Sequence, residues 1–451
     1  MPKLLPWLCA ALFALALSTL TPAFAQGQAG PSAAPTSTVD VHALPPAGAV
    51  NFDVEKATNA YLAKVSGAAR AKSDSYFEGG YWLTLWDALY AIAVSAILLF
   101  LRISARMRRI AEGITRARFW QVPLYIMMYV VITTVLTLPM TIYEGFIREQ
   151  QYGLSNQNFL QWFGDFGIDF AVNFVAFAII GAIVYAAIRG SKRYWWVWGT
   201  GITIVFLIIG VAITPVFLAP LFNHYKPLRE GELKQSILSL ARSEGIPVTN
   251  VYEFDASKQS KRMSANVSGM LGTTRISMND NLINRGSDRE VLAVLGHEMG
   301  HYVLSHVVTG IIENGLLILV AFAFTAWGFG FLTNTFGGVW DVRSVDDVAG
   351  LPVLMAVASV FFLFATPVSN TITRSMEAQA DIFGVNAARQ PDGFAQAALH
   401  LSEYRKLDPS PFEEFVFFDH PSGRNRIHMM MVWKKEHLKD ADIAAGPVSP
   451  Q

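Results

Sequence analysis

Six mostly apolar runs of near-bilayer length follow residue 80: Leu83–Leu101, Val122–Ile142, Ile168–Ile188, Trp196–Phe217, Val307–Trp327 and Leu351–Thr366. A helix needs about 20 such residues to cross the hydrocarbon of a membrane, and only helices or closed barrels satisfy their backbone there. The runs therefore restrict the chain to a polytopic helical bundle. The last run is short and continues as helix into polar sequence. Aromatic clusters, YWLTLW and RYWWVW, stand at run ends, where interfacial belts form. Charged residues make up only 16% of the chain, against roughly 25% in soluble domains. Formal net charge is zero, which removes any electrostatic case for a nucleic-acid partner.

Residues 1–25 combine a short basic start, an apolar run and the sequence AFA before Gln26. That is the layout of a secretory signal; an uncleaved first membrane helix is the alternative. Residues 26–80 read as a flexible linker, rich in Ala, Pro, Gly, Ser and Thr, and an N-terminal helix. The single cysteine, Cys9, lies inside the first apolar run, so disulfides and thiolate metal sites are excluded. Four spans then occupy 81–217 and two more 307–366. Loop charge orients them. RISARMRRIAEGITRAR, with six arginines and one acid, and RGSKR belong on the cytoplasmic face. The loop from Tyr143 to Asp169 has one basic residue, Arg148, and belongs opposite, together with the polar stretch 218–306. The expected location is a bacterial inner membrane, with that stretch on the periplasmic side.

The polar stretch carries the chemistry. GIPVTNVYEFDA and RMSANVSGMLGTTRISMNDNL are β-branched with turn residues between, which predicts short strands. GSDREVLAVLGHEMGHYVLSH follows, opening with Ser287 and Glu290 as a capping box and carrying Val291, Leu292, Leu295 and Met299 at helical spacing. On that helix His297 and His301 are four apart and share a face, so both can grip one metal ion. Glu298 stands beside them as a general base for a metal-activated water. His306, five residues after His301, is off the shared face of a continuous helix and reads as an interfacial histidine entering the fifth span.

A catalytic zinc needs a third protein ligand. Glu377 and Asp381, four apart in NTITRSMEAQAD beyond the sixth run, are placed for this: Glu377 as ligand, Asp381 as hydrogen-bond partner of a ligand histidine. The alternative is a pair of solvated carboxylates at a helix end; an incomplete zinc site upstream favours the ligand. His420 and Arg426, in FDHPSGRNRI, are available as donors to an oxyanion.

With these residues in view, the chain resembles the type I CAAX prenyl protease family of integral-membrane zinc metallopeptidases. YEGFIREQQYGLSNQNF, PLFNHYKPL, SKQSKRMSANVSGMLGTTRISMNDNLI, HEMGH, RSMEAQAD and DHPSGRNR carry the resemblance, in the family's order, over most of residues 120–430. It implies a mainly α membrane bundle enclosing a chamber, with a small α+β zincin-type metallopeptidase domain at 218–306 and catalytic C-terminal helices at 367–451. It implies one Zn2+ per chain on His297, His301 and Glu377, and Glu298 as base. It also implies that Asn266, on an edge strand, pairs with substrate backbone, and that His420 and Arg426 act at the transition state or in substrate binding. The implied reaction is endopeptidase hydrolysis of membrane-associated peptide or protein substrates at the bilayer. Val267 and Ser268 replace the aromatic the family usually carries after its Asn-Ala pair, and a signal-like segment holds the place of its first span. The reaction class transfers on these grounds, and the prenyl substrate does not. The competing reading is a catalytically silent, chaperone-like membrane protein that keeps the fold; Glu298, which no structural site needs, speaks against it.

Overall fold

The computed structural model describes residues 52–269, 274–401, 403–440 and 443. The signal-like segment, Cys9 and most of the linker lie outside the described residues. In chain order the helices begin with α1 (Val54–Leu62), α2 (Gly67–Phe100), α3 (Ile103–Ile114), α4 (Arg118–Ile142), α5 (Phe159–Gly190) and α6 (Trp195–Ile213). A small mixed unit follows: β1 (Tyr225–Pro227), α7 (Glu232–Ser243), β2 (Val251–Phe254), β3 (Ala265–Ser268), β4 (Arg275–Asn279), α8 (Asp280–Arg285) and α9 (Asp288–Val303). The chain ends with α10 (His306–Trp340), α11 (Leu351–Ala388), α12 (Pro391–Leu401), α13 (Pro411–Phe417) and α14 (Gly423–Glu436).

All six apolar runs lie in helices long enough to cross a membrane. Several helices extend well past the apolar run, because polar turns at their ends keep helical hydrogen bonding. α2 starts at Gly67, and α11 runs unbroken to Ala388. The six pack in a closed ring, α2 against α11, then α10, α6, α5, α4 and back to α2, which encloses a chamber. Large apolar side chains on the spans, such as Val135, Leu160, Ile312 and Phe364, are mostly exposed, as surfaces meant for lipid contact are. α11 is the most enclosed of the six, with 61% of its apolar window buried against 17% for α5. That matters because α11 carries Glu377 and Asp381.

One end of the ring is closed by an apolar cluster drawn from Leu98, Leu99, Ile188, Trp195, Trp340 and Val353. The arginine-rich loops lie at this end. The acids of the loop after α10 are paired with those cations, Arg108 with Asp341 and Asp347 and Lys192 with Asp346, and the loop's own Arg343 pairs with Glu112 of α3. At the other end sits the mixed unit. Its sheet has the order β1-β2-β4-β3, with β2 parallel to β4 and the other pairs antiparallel. β1, in FNHYKPL, carries no strand signal of its own; it is made by pairing with β2. One face of the sheet packs on α7 and on the apolar stripe of α9, where Val291, Leu295 and Met299 are buried. α12 and α14 cover the other flank of the site with Phe394, Ile427 and Met430, and α1 packs onto them.

Candidate metal centre

Two helices hold the centre. α9 starts at Ser287, whose side chain and Glu290 form the reciprocal capping box expected from the sequence. α11 crosses it so closely that no side chain separates the backbones. A Cβ placed on Gly384 would stand 2.6 Å from the backbone nitrogen of His297, and one on Gly296 would stand 2.9 Å from the Gly384 carbonyl. Small residues at this crossing let His297 and His301 from one helix meet Glu377 from the other.

The three side chains converge. His297 Nε2 lies 3.1 Å from His301 Nε2 and 3.2 Å from Glu377 Oε2, and His301 Nε2 lies 3.5 Å from Glu377 Oε1. Four-coordinate zinc with bonds of about 2.0–2.1 Å has ligand–ligand edges of roughly 3.3–3.4 Å. The observed edges bracket that length. The outer nitrogens are already engaged: His297 Nδ1 donates to Asp381 Oδ1 at 2.7 Å, and His301 Nδ1 lies 3.0 Å from His306 Nδ1. Both rings therefore turn Nε2 inward, next to a buried carboxylate. Two facing nitrogens can satisfy each other only by sharing one proton, whereas a cation satisfies all three groups at once. The donor set fits a zinc ion.

The surroundings fix these groups. Asp381 is fully buried and takes two hydrogen bonds from Arg426, Nε to Oδ2 at 2.8 Å and Nη2 to Oδ1 at 2.6 Å. Arg426, read from the sequence as a transition-state or substrate-binding donor, thus spends two donors on Asp381 and orients His297 through it. His420, on the bend between α13 and α14, places Nε2 3.1 Å from Glu377 Oε2 and Nδ1 2.8 Å from Asp419 Oδ1. Burial tends to raise the Asp419 carboxyl, but His420 and Arg405 outweigh it and hold the group well below the usual carboxylate range. Glu298 shares a cleft with His297, Val294, Phe394, His420 and Arg426. Burial pushes its carboxyl above the ordinary value, against the pull of His297 and His301. Ala265 of β3 borders the same cleft. Asn266 sits next to it on that strand, which is a sheet edge, and accepts from Ser268 Oγ at 3.1 Å.

Two partners were not read from the sequence. Asp419 directly precedes His420, and that adjacency was the available signal. Helical spacing puts His306 off the shared face only for a continuous helix, and α9 and α10 are not one helix. Ser305 is left-handed at φ +56, and the turn returns His306 onto His301.

Residues 227–434 match the family model described as peptidase family M48. Residues 55–224 match the model described as CAAX prenyl protease N-terminal, five membrane helices. The chain is 29% identical to an uncharacterized metalloprotease, YhfN, of Bacillus subtilis, over 76% of this chain and 79% of that one. It is also 29% identical to CAAX prenyl protease 1 of Saccharomyces cerevisiae, over 66% of this chain and 69% of the relative. Among solved structures, the crystal structure of S. mikatae Ste24p superposes with a TM-score of 0.69, covering 84% of this chain and 94% of that one at 21% identity.

Proposed function

We propose that the chain is a membrane-embedded metalloprotease of peptidase family M48, and that it works as a zinc-dependent endopeptidase on membrane or envelope proteins; the two family models matched over residues 55–224 and 227–434 support this reading. The observation that carries this reading is the convergence of His297, His301 and Glu377 within 4.8 Å of one another, beside Glu298. Zinc held by this set would polarise a scissile carbonyl and lower the pKa of water toward neutrality. The other steps belong to the chain's own groups. Glu298 takes the proton of the attacking water and returns it to the departing amine. Asp419 Oδ1 holds His420 at Nδ1 and Glu377 Oε2 lies at its Nε2, so the Nε2 edge of the ring faces the site, where it serves the developing oxyanion. Asn266 and the free edge of β3 receive substrate backbone as an added strand. Asp381 and Arg426 keep His297 in register.

The yeast relative is named for CAAX prenyl substrates. Val267 and Ser268 stand on the strand that borders the cleft, so the reaction class is carried over and the prenyl group is not. The test is direct. The purified protein should bind one zinc per chain and cleave unfolded membrane-protein peptides. A strong chelator should lower the rate by at least about 100-fold, with recovery on adding zinc, as removal of the group that supplies the Lewis acid demands. Zinc-free active protein, or cleavage that survives chelation, overturns the reading.

We further infer that the metal end faces the periplasm of a bacterial inner membrane, because arginines and lysines gather at the opposite end of the ring. A cysteine at Arg116 should be shielded from a membrane-impermeant thiol reagent in intact spheroplasts, and one at Glu230 should react. The reverse pattern inverts the topology.

A further inference from the structure

His306 has a job that the metalloprotease reading does not give it. We propose that His306, backed by Gln379, is the positioning residue for His301. The proposal rests on His301 being a metal ligand.

The argument starts from the backbone. On a continuous helix a residue five positions on is rotated by about 140° and cannot reach back to its predecessor. Here α9 stops at Val303, Ser305 adopts φ +56 and ψ 36, and α10 begins at His306. A serine in the left-handed region is strained, and such strain persists only where surrounding contacts hold it. What the turn achieves is visible: the His306 ring is buried, with Nδ1 3.0 Å from His301 Nδ1 and Nε2 3.3 Å from Gln379 Oε1. Gln379 lies on α11, midway between Glu377 and Asp381.

The partners order the hydrogens. A His301 that offers Nε2 to the metal carries its proton on Nδ1, and His306 Nδ1 is the atom placed to accept it. His306 then bears its own proton on Nε2 and donates to the Gln379 carbonyl oxygen. The line runs His301 to His306 to Gln379, each link a donor and an acceptor. His297 is backed by Asp381, a carboxylate in a buried pair with Arg426. His301 is instead backed by a neutral ring. That arrangement orients the second ligand without adding a further negative charge beside a site that already holds Glu377.

The test compares three variants by zinc dissociation constant, measured by chelator competition on the full-length protein in detergent. His306→Leu removes the acceptor and is expected to weaken zinc by about 10–100-fold, the usual cost of losing an outer partner. His306→Asn places a carbonyl oxygen close to the position of Nδ1 and should recover most of that loss. Gln379→Leu leaves His306 in place but unanchored, and should weaken zinc several-fold; it keeps the test alive where His306→Leu fails to fold. Cobalt-loaded wild type and His306→Leu should also differ in their visible absorption bands, which report ligand geometry. Zinc binding unchanged in both His306→Leu and Gln379→Leu, or equal loss in His306→Leu and His306→Asn, overturns the proposal. Wild type that binds no zinc would instead overturn the metal site itself, so the two failures are distinct.

Discussion

Glu298→Gln should leave one zinc per chain in place and lower kcat by about 10²–10⁴-fold, the range removed with a general base. At 1.36 kcal/mol per decade this is roughly 3–5 kcal/mol of transition-state stabilisation. Zinc should stay because the three groups placed to hold it are His297, His301 and Glu377, and Glu298 is not among them. Glutamine keeps the shape and polarity of the side chain, so the cleft it shares with Val294 and Phe394 should not collapse. It cannot take a proton. Burial raises the Glu298 carboxyl, which brings it nearer the working range of a base that must accept a proton and then give it back. His420→Ala serves as the comparison. It should also retain zinc and lose about 10²–10³-fold in kcat, the usual cost of one oxyanion donor, with a smaller change in KM. Single-turnover cleavage of a quenched peptide, with zinc counted on the same samples, reads both. Hydrolysis by Glu298→Gln at near wild-type rate removes the assigned base. Loss of zinc in that variant would make Glu298 a ligand.

The parts of this molecule that depend on periodicity were legible in the residues. Six apolar runs announce six spans, and Ser287 with Glu290 announces the start of the metal helix, because each signal is local. Glu377 stands out before any geometry, since a carboxylate at the end of an apolar helix is costly without a partner, and the fold brings it to His297 and His301. What local pattern cannot carry is a change in direction. Spacing turns His306 away from His301 only on an unbroken helix, and a single left-handed serine breaks it. β1 was invisible for a related reason: Tyr225–Pro227 is extended only because β2 lies beside it. The sequence offers Arg426 as a donor but not what it donates to. Both of its short hydrogen bonds go to Asp381, 45 residues earlier, and no spacing encodes that. The acids of the loop after α10 lie against Arg108, Arg109 and Lys192, pairings across more than 150 residues that no local pattern encodes.

The glycines of the metal helices were equally silent, and they lead to the second large effect. Gly384→Ala is expected to weaken zinc by at least about 100-fold while leaving the membrane ring assembled. The added Cβ would stand 2.6 Å from His297 N, 2.9 Å from His297 Cα and 3.0 Å from the Gly296 carbonyl carbon. These are backbone atoms, so no side chain can rotate aside; α9 and α11 must move apart until the contact reaches at least 3.4 Å. A shift of that kind, roughly 0.5–1 Å, is several times the ~0.2 Å within which metal–ligand distances are held. It falls between His297 on one helix and Glu377 on the other, the join that the metal must bridge. Overpacking of this sort costs about 1–3 kcal/mol, enough to loosen the crossing but not to undo a bundle whose spans contact one another elsewhere. Gly330→Ala on α10 is the control: nothing lies within 4 Å of its Cβ position, so zinc affinity and activity should match wild type. Chelator competition gives the affinity, and limited proteolysis shows that the bundle persists. The two large predictions have opposite signatures, one keeping zinc and losing turnover, the other losing zinc and turnover together. A Gly384→Ala protein that holds zinc as tightly as wild type would mean that the metal does not depend on the α9–α11 crossing, and the three-ligand centre would have to be redrawn.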